Sequence, residues 1–265
     1  MRFVLFFLCL AIASAQAQEE VPFITTPDHV TLAMLEIAKV GPQDFVLDLG
    51  SGDGRIVITA ARRFGARGLG VEIVPDLVQR SREAAQAAGV AGRALFREQD
   101  LFKTDLSPAS VVTMYLLPEV NLQLRPKILK LRPGTRIVSH DWDMGDWMPD
   151  RTITLDVPDK KIGLEKKSRV HLWIVPARVE GVWCGTGKAR GKRLELKQAF
   201  QKFEARLGPD ALDAFEGRVE GSTLRTSKGL AFTYDGQTLH NTHASGHFAT
   251  IHGARFRPLR GSSCR

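Results

Sequence analysis

Beyond its first residues the chain has no apolar run long enough to cross a bilayer as a helix. It has no internal repeat and no low-complexity tract, which sets aside repeat arrays and compositionally biased linkers. No run of Arg and Lys is interleaved with aromatic residues, as a groove for single-stranded nucleic acid needs, and this argues against nucleic acid as a partner. Four of the 7 histidines (His240, His243, His247 and His252) fall close together, but their spacing fits no zinc pattern and no acid lies among them, so no metal site is expected. Cysteine is scarce, with 3 in 265 residues.

The one long apolar stretch is at the start. Met1 and Arg2 form a short positive region, residues 3–13 an apolar core, and Ala13-Ser14-Ala15 and Ala15-Gln16-Ala17 both fit a small-x-small cleavage site. Residues 1–17 are therefore expected to be an export signal, giving a periplasmic or envelope-associated protein; the alternative is an uncleaved anchor holding the chain on the cytosolic side. Cleavage removes Cys9 and leaves Cys184 and Cys264, either a disulfide of an oxidising compartment or two free thiols. Formal net charge is +8, unevenly placed: residues 160–265 carry 20 Lys and Arg against 9 Asp and Glu, whereas residues 18–159 carry 16 against 20. The basic half is either a solvated surface or a face for an acidic partner.

Strands and helices alternate over residues 28–140, the pattern of a parallel doubly wound sheet. Helices are expected at 28–39, 55–64, 75–88 and 121–130, and strands at 44–49, 68–72, 94–98, 111–116 and 136–139. Residues 152–157 and 168–175 read as an antiparallel hairpin closing the sheet. After Pro176 short alternating segments (194–203, 217–224, 230–234 and 247–256) suggest a small antiparallel β unit over 177–265, with a helical interruption at 207–215. The main domain is expected over 18–176.

The first strand runs into Asp48-Leu49-Gly50-Ser51-Gly52-Asp53-Gly54-Arg55, and the second ends at Glu72. Glycines at this turn permit close backbone approach to a ligand, and an acid ending the next strand suits ribose hydroxyls. Asp48, ahead of the first glycine, would repel a diphosphate but attract an ammonium. The run resembles motif I of class I S-adenosylmethionine (SAM) methyltransferases. That resemblance implies a Rossmann-like, seven-stranded, mostly parallel sheet with an antiparallel end hairpin, and SAM as cofactor. It implies Asp48 at the methionine end, Gly50, Ser51, Gly52 and Gly54 beneath it, Glu72 on the ribose, and Asp100 and Leu101 at the adenine.

The fourth strand leads into Met114-Tyr115-Leu116-Leu117-Pro118 rather than the [Asn/Asp]-Pro-Pro-[Tyr/Phe] of adenine-N6 and glutamine methyltransferases, which disfavours that class. Tyr115 is either an amine-pocket wall, its π face suiting a cation, or a core aromatic. After the fifth strand comes His140-Asp141-Trp142-Asp143-Met144-Gly145-Asp146-Trp147. Its acids and tryptophans are a candidate slot for a lysine ammonium, with His140 or Asp141 assisting loss of the proton; the alternative is a tryptophan-anchored lid.

Residues 22–175 resemble the group that includes the protein-lysine methyltransferases acting on the c subunit of ATP synthase. The resemblance rests on Pro22-Phe23-Ile24-Thr25-Thr26-Pro27, Asp48 to Ile56, Ser81-Arg82, Asp100-Leu101-Phe102-Lys103, Leu117-Pro118 and Asp146-Trp147. It implies a lysine-bearing protein as acceptor and Thr26 at the methionine carboxylate. The β-rich tail and the export segment depart from that group. A small-molecule N- or O-methyltransferase, and a non-catalytic SAM-binding module acting through the β unit, remain as alternatives.

Overall fold

The computed structural model describes residues 24–160, 165–208, 213–261, 263 and 264. The expected export signal, residues 1–17, lies outside them. Helix α1 (Asp28–Ile37) precedes strand β1 (Phe45–Leu49); then come α2 (Arg55–Phe64), β2 (Arg67–Glu72), α3 (Pro75–Ala87), β3 (Ala94–Glu98), β4 (Val111–Met114), α4 (Pro118–Ile128) and β5 (Arg136–His140). Strands β6 (Arg151–Asp156) and β7 (Lys167–Ile174) complete a seven-stranded sheet of order β3-β2-β1-β4-β5-β7-β6. The first five strands run parallel, β7 is antiparallel to β5, and β6 is antiparallel to β7.

The central strands are apolar on both faces because helices cover both. Val46, Val111 and Val138 enter a core under α1 and α2 with Val30, Met34 and Ala60. Their neighbours Leu47, Val112 and Ile137 enter the opposite core with Leu124 and Ile128 of α4. Strand order reverses between β1 and β4, and open α/β sheets bind ligands outside the carboxyl ends of strands at such a switch point.

Two boundaries differ usefully from the sequence expectation. β4 ends at Met114 rather than residue 116, so Tyr115 and Leu116 leave the ladder at the carboxyl edge. α4 begins at Pro118 rather than residue 121, because a proline at the first helical position has its φ already set and no N–H to leave unpaired.

The tail is more regular than expected. Strands β8 (Gly181–Thr186), β9 (Arg193–Ala199), β10 (Lys202–Gly208), β11 (Asp213–Glu220), β12 (Thr223–Thr226), β13 (Leu230–Tyr234), β14 (Leu239–Ala244) and β15 (Arg255–Pro258) close into an antiparallel barrel in which each strand pairs with its neighbour in sequence and β15 returns to β8. Closure removes sheet edges. Inward residues alternate along the strands and fill the interior, with Phe232 and Phe256 edge to face at 5.8 Å. Residues 194–203, read as one segment, are a hairpin that turns at Phe200 and Gln201. The helical interruption expected at 207–215 is overturned on both flanks, since Leu207–Gly208 end β10 and Asp213–Phe215 begin β11; 209–212 lie outside the described residues. Cys184 and Cys264 are bridged, tying the end of the chain to β8. Among the described residues no helix is long and apolar enough to cross a membrane.

Candidate active site

The turn from β1 to α2 is shaped by glycine. Gly50 and Gly54 have φ of +71° and +79°, and a Cβ at Gly54 would lie 2.6 Å from the Phe96 ring. The amides of Gly50 and Ser51 both donate to Val71 O, at 2.9 and 3.0 Å, fastening the turn to β2. Glu72 braces it from the other side: its carboxylate accepts from the amides of Gly52 at 3.0 Å, Ile73 at 2.8 Å and Val74 at 3.1 Å.

Asp48 lies beneath this turn, 2% exposed. Thr113, its register partner on β4, donates to Oδ1 at 2.7 Å, and no cation pairs with Asp48 among the described residues. Burial pushes its carboxyl up to about 7, with Asp53 and Glu72 adding to the rise and Thr113 opposing it. A buried acid without a counter-charge fits a ligand that brings its own ammonium, and the buried hydroxyl of Ser51 in the same turn is also unpartnered. Exposed Ile73 follows Glu72, and half-buried Leu101 follows Asp100 just beyond the adjoining β3, giving apolar surface for a base. Asp100 Oδ1 accepts from the amide of Phe102 at 2.8 Å, capping a short turn, and Oδ2 lies 3.6 Å from Lys103 Nζ. These residues fit SAM.

The Asp53-Gly54-Arg55 run has a mechanical task that its sequence did not disclose. Asp53 holds Arg55 through Nε at 3.0 Å and Nη2 at 2.6 Å, and Arg55 Nη1 donates to Thr26 O at 2.8 Å. The segment before α1 is thereby strapped across the glycine turn. Thr26 Oγ1 in turn meets His140 Nδ1 at 3.2 Å.

Tyr115, His140 and Asp141 come together at the ends of β4 and β5. The Tyr115 and His140 ring centroids are 3.9 Å apart. His140 is 1% exposed and its Nε2 meets Ser168 Oγ at 2.8 Å, so both ring nitrogens are engaged. Burial lowers its pKa to about 4, and the ring is neutral. Asp141 has φ of +64°, a costly conformation for a non-glycine residue, held by β7: its amide donates to Arg169 O at 2.7 Å and its Oδ1 accepts from Arg169 N at 2.9 Å. Oδ2 faces Tyr115 OH and His140 Nε2, both at 3.5 Å, and Lys160 Nζ at 2.7 Å. Burial, then Asp141, pushes the Tyr115 phenol up to about 12.

The slot expected from residues 140–147 is only partly assembled. Of its acids, Asp141 alone joins this cluster; Asp143 caps a turn by accepting from Gly145 N at 3.0 Å, and Asp146 pairs with Arg125. Trp142 is 39% exposed, but Trp147 is fully buried between Trp173 and Phe200 of the barrel. Arg125 lies 5.6 Å over the Phe200 ring, Gln201 donates to Met148 O at 2.6 Å, and Arg218 pairs with Asp150 at 2.6 Å. Hence the barrel grips the loop that follows β5.

Thr113, Ser168, Lys160 and Phe200 went unmarked in the sequence. Register opposite Asp48 points to Thr113, whereas no local pattern singles out the other three. Among the described residues no three His, Cys, Asp or Glu side chains gather as a metal site; His240 pairs with Asp235 at 2.7 Å and His247 lies 3.3 Å from Asp213.

Residues 48–151 match the family described as the ANTKMT methyltransferase domain. A protein-lysine N-methyltransferase of Saccharolobus islandicus (strain REY15A) is 46% identical over 138 residues, covering 51% of this chain and 86% of that protein. The chain belongs to this methyltransferase family. The methyltransferase is also similar to the ATP synthase c-subunit lysine N-methyltransferase of Mus musculus, 41% identical over 108 residues, which are 40% of this chain and 43% of that one. Among solved structures, an RNA methyltransferase from Salinibacter ruber in complex with S-adenosyl-L-homocysteine is 51% identical with a TM-score of 0.54, covering 59% of this chain and 96% of the other. The cofactor is SAM, and the sheet with its antiparallel end hairpin is the fold that serves it.

Proposed function

We propose that the methyltransferase acts on the side-chain amine of lysine in a protein. The observation that carries this reading is the Asp141 carboxylate, presented beside the Tyr115 hydroxyl where β4 and β5 end: an anion at this edge suits an ammonium. The Saccharolobus islandicus relative, a protein-lysine N-methyltransferase, supports it.

SAM supplies a methyl group on a positively charged sulfur, which leaves as a neutral thioether. In the proposed complex Asp48 faces the methionine ammonium, Glu72 takes the ribose, and Asp100 and Leu101 take the adenine. Thr26 lines the methionine end from the strapped segment. Asp141 Oδ2 draws the acceptor ammonium into line and accepts its hydrogen bond. The amine must shed a proton before it attacks, and Asp141 is the neighbouring base able to take it or relay it to water. His140, neutral and bonded at both nitrogens, acts by holding Thr26 and Ser168 in place. Alignment supplies much of the rate.

The methyltransferase is further proposed to be exported, as a periplasmic or envelope-associated protein. The Cys184–Cys264 bridge supports that setting. The basic second half would favour an acidic protein partner.

A second reading, an RNA acceptor, draws on the name of the Salinibacter ruber protein and on exposed Trp142, a surface on which a base stacks. Asp141→Asn separates the two. It should lower kcat/KM for a lysine-bearing acceptor about 10- to 100-fold, the worth of a charge-assisted hydrogen bond, with SAM affinity unchanged. An unaltered kcat/KM would remove Asp141, and with it the lysine reading, from the site.

A further inference from the structure

We propose that Lys160 is a resident pseudo-acceptor: its ammonium occupies the place on Asp141 that the acceptor amine must take, and the acceptor enters by displacing it. The inference rests on the lysine reading above. Lys160 lies in the connection from β6 to β7, and its side chain is 14% exposed, against 13% for Asp141. A lysine so enclosed is uncommon unless paired. Its Nζ lies 2.7 Å from Asp141 Oδ2 and donates to Lys167 O at 2.5 Å. Asp141 Oδ1 and its amide are committed to Arg169, which leaves Oδ2 as the carboxylate oxygen free to receive an ammonium. Lys160 has it, and Tyr115 OH points to the same oxygen at 3.5 Å.

Displacement changes what the site selects. An acceptor ammonium that reaches Asp141 does so at the expense of Lys160, so the exchange is nearly neutral in charge. Net affinity must come from neighbouring surface, and Leu117 and Trp142 are exposed large hydrophobics at the same edge, 45% and 39% accessible. A lone amine is poorly bound; a lysine within a protein segment that covers this rim is bound well. If Lys160 fills the site nine-tenths of the time, apparent affinity for an amine falls about tenfold.

The test is an NMR titration of the full chain with butylammonium, with SAM calorimetry as the check on folding. Lys160→Met should bind butylammonium about tenfold more tightly than the parent, and Lys160→Arg, which keeps the cation, should not. In the unmutated protein, excess butylammonium should also raise the acetylation rate of Lys160 relative to that of Lys103, 82% exposed, a ratio that cancels the reagent consumed by the added amine. Equal affinity in Lys160→Met and parent, with binding lost in Asp141→Asn, would overturn the pseudo-acceptor and leave the lysine reading standing. If no variant binds butylammonium while all bind SAM, both fail together.

Discussion

Phe200 of the barrel lies flat on Trp147 of the α/β domain, ring centroids 6.0 Å apart and planes within 14°. Phe200 sits at the tip of the β9–β10 hairpin with φ of +53°, a conformation in which an aromatic residue is strained. It packs on the segment that begins at His140 and Asp141. The barrel is therefore packed on the segment that follows β5 as well as joined covalently to the chain.

Phe200→Ala should lower stability by about 1–2 kcal/mol, from the lost stack and the partly buried ring. It should raise KM for the acceptor while SAM affinity holds. Tryptophan fluorescence, thermal melting and a calorimetric SAM titration check this; a KM equal to the parent's would reduce the stack to a structural one.

SAM affinity should depend on pH through Asp48. In the free protein its carboxyl holds a proton below about 7, whereas a bound ammonium needs the carboxylate. Each pH unit below that point therefore weakens binding by up to about tenfold, and affinity rises from pH 5.5 to 7. Calorimetry across that range should show the slope in the parent and none in Asp48→Asn. A flat profile in the parent would place the ammonium elsewhere.

Glu72→Ala removes the proposed ribose acceptor and takes the carboxylate from the amides of Gly52, Ile73 and Val74. SAM binding should weaken by about 1.5–3 kcal/mol, and the melting temperature should fall as well because the turn loses its brace. Unchanged SAM affinity would show that Glu72 is a turn brace alone.

Reducing the Cys184–Cys264 bridge frees a loop of 80 residues, worth roughly 4 kcal/mol in the chain-entropy model. Melting with and without reductant should show the loss, and SAM binding should survive it because the residues proposed to face SAM all precede the barrel in the chain. Identical melting curves would mean that the reduced chain keeps the same barrel constraint.

The sheet was legible because apolar strands, glycine turns and acids recur in an order that only a doubly wound fold satisfies. The acids proposed to face SAM stood out in the sequence for the same reason: Asp48, Glu72 and Asp100 lie at or just beyond the carboxyl ends of three consecutive strands. What was hidden is non-local. Trp147 and Trp142 look alike in sequence, yet one is in the core and one at the surface, decided by Phe200 more than fifty residues away. The barrel closes through pairing of β15 with β8, which has no local signature. Lys160 reaches Asp141 only because the end hairpin folds back along β5.

Lysine methylation is tested most directly by incubating the purified protein with methyl-labelled SAM and a mixture of protein and RNA acceptors, then hydrolysing the product. Label recovered as methyl-lysine, sensitive to protease and insensitive to ribonuclease, is the predicted result. Label recovered in nucleotides and removed by ribonuclease would contradict it.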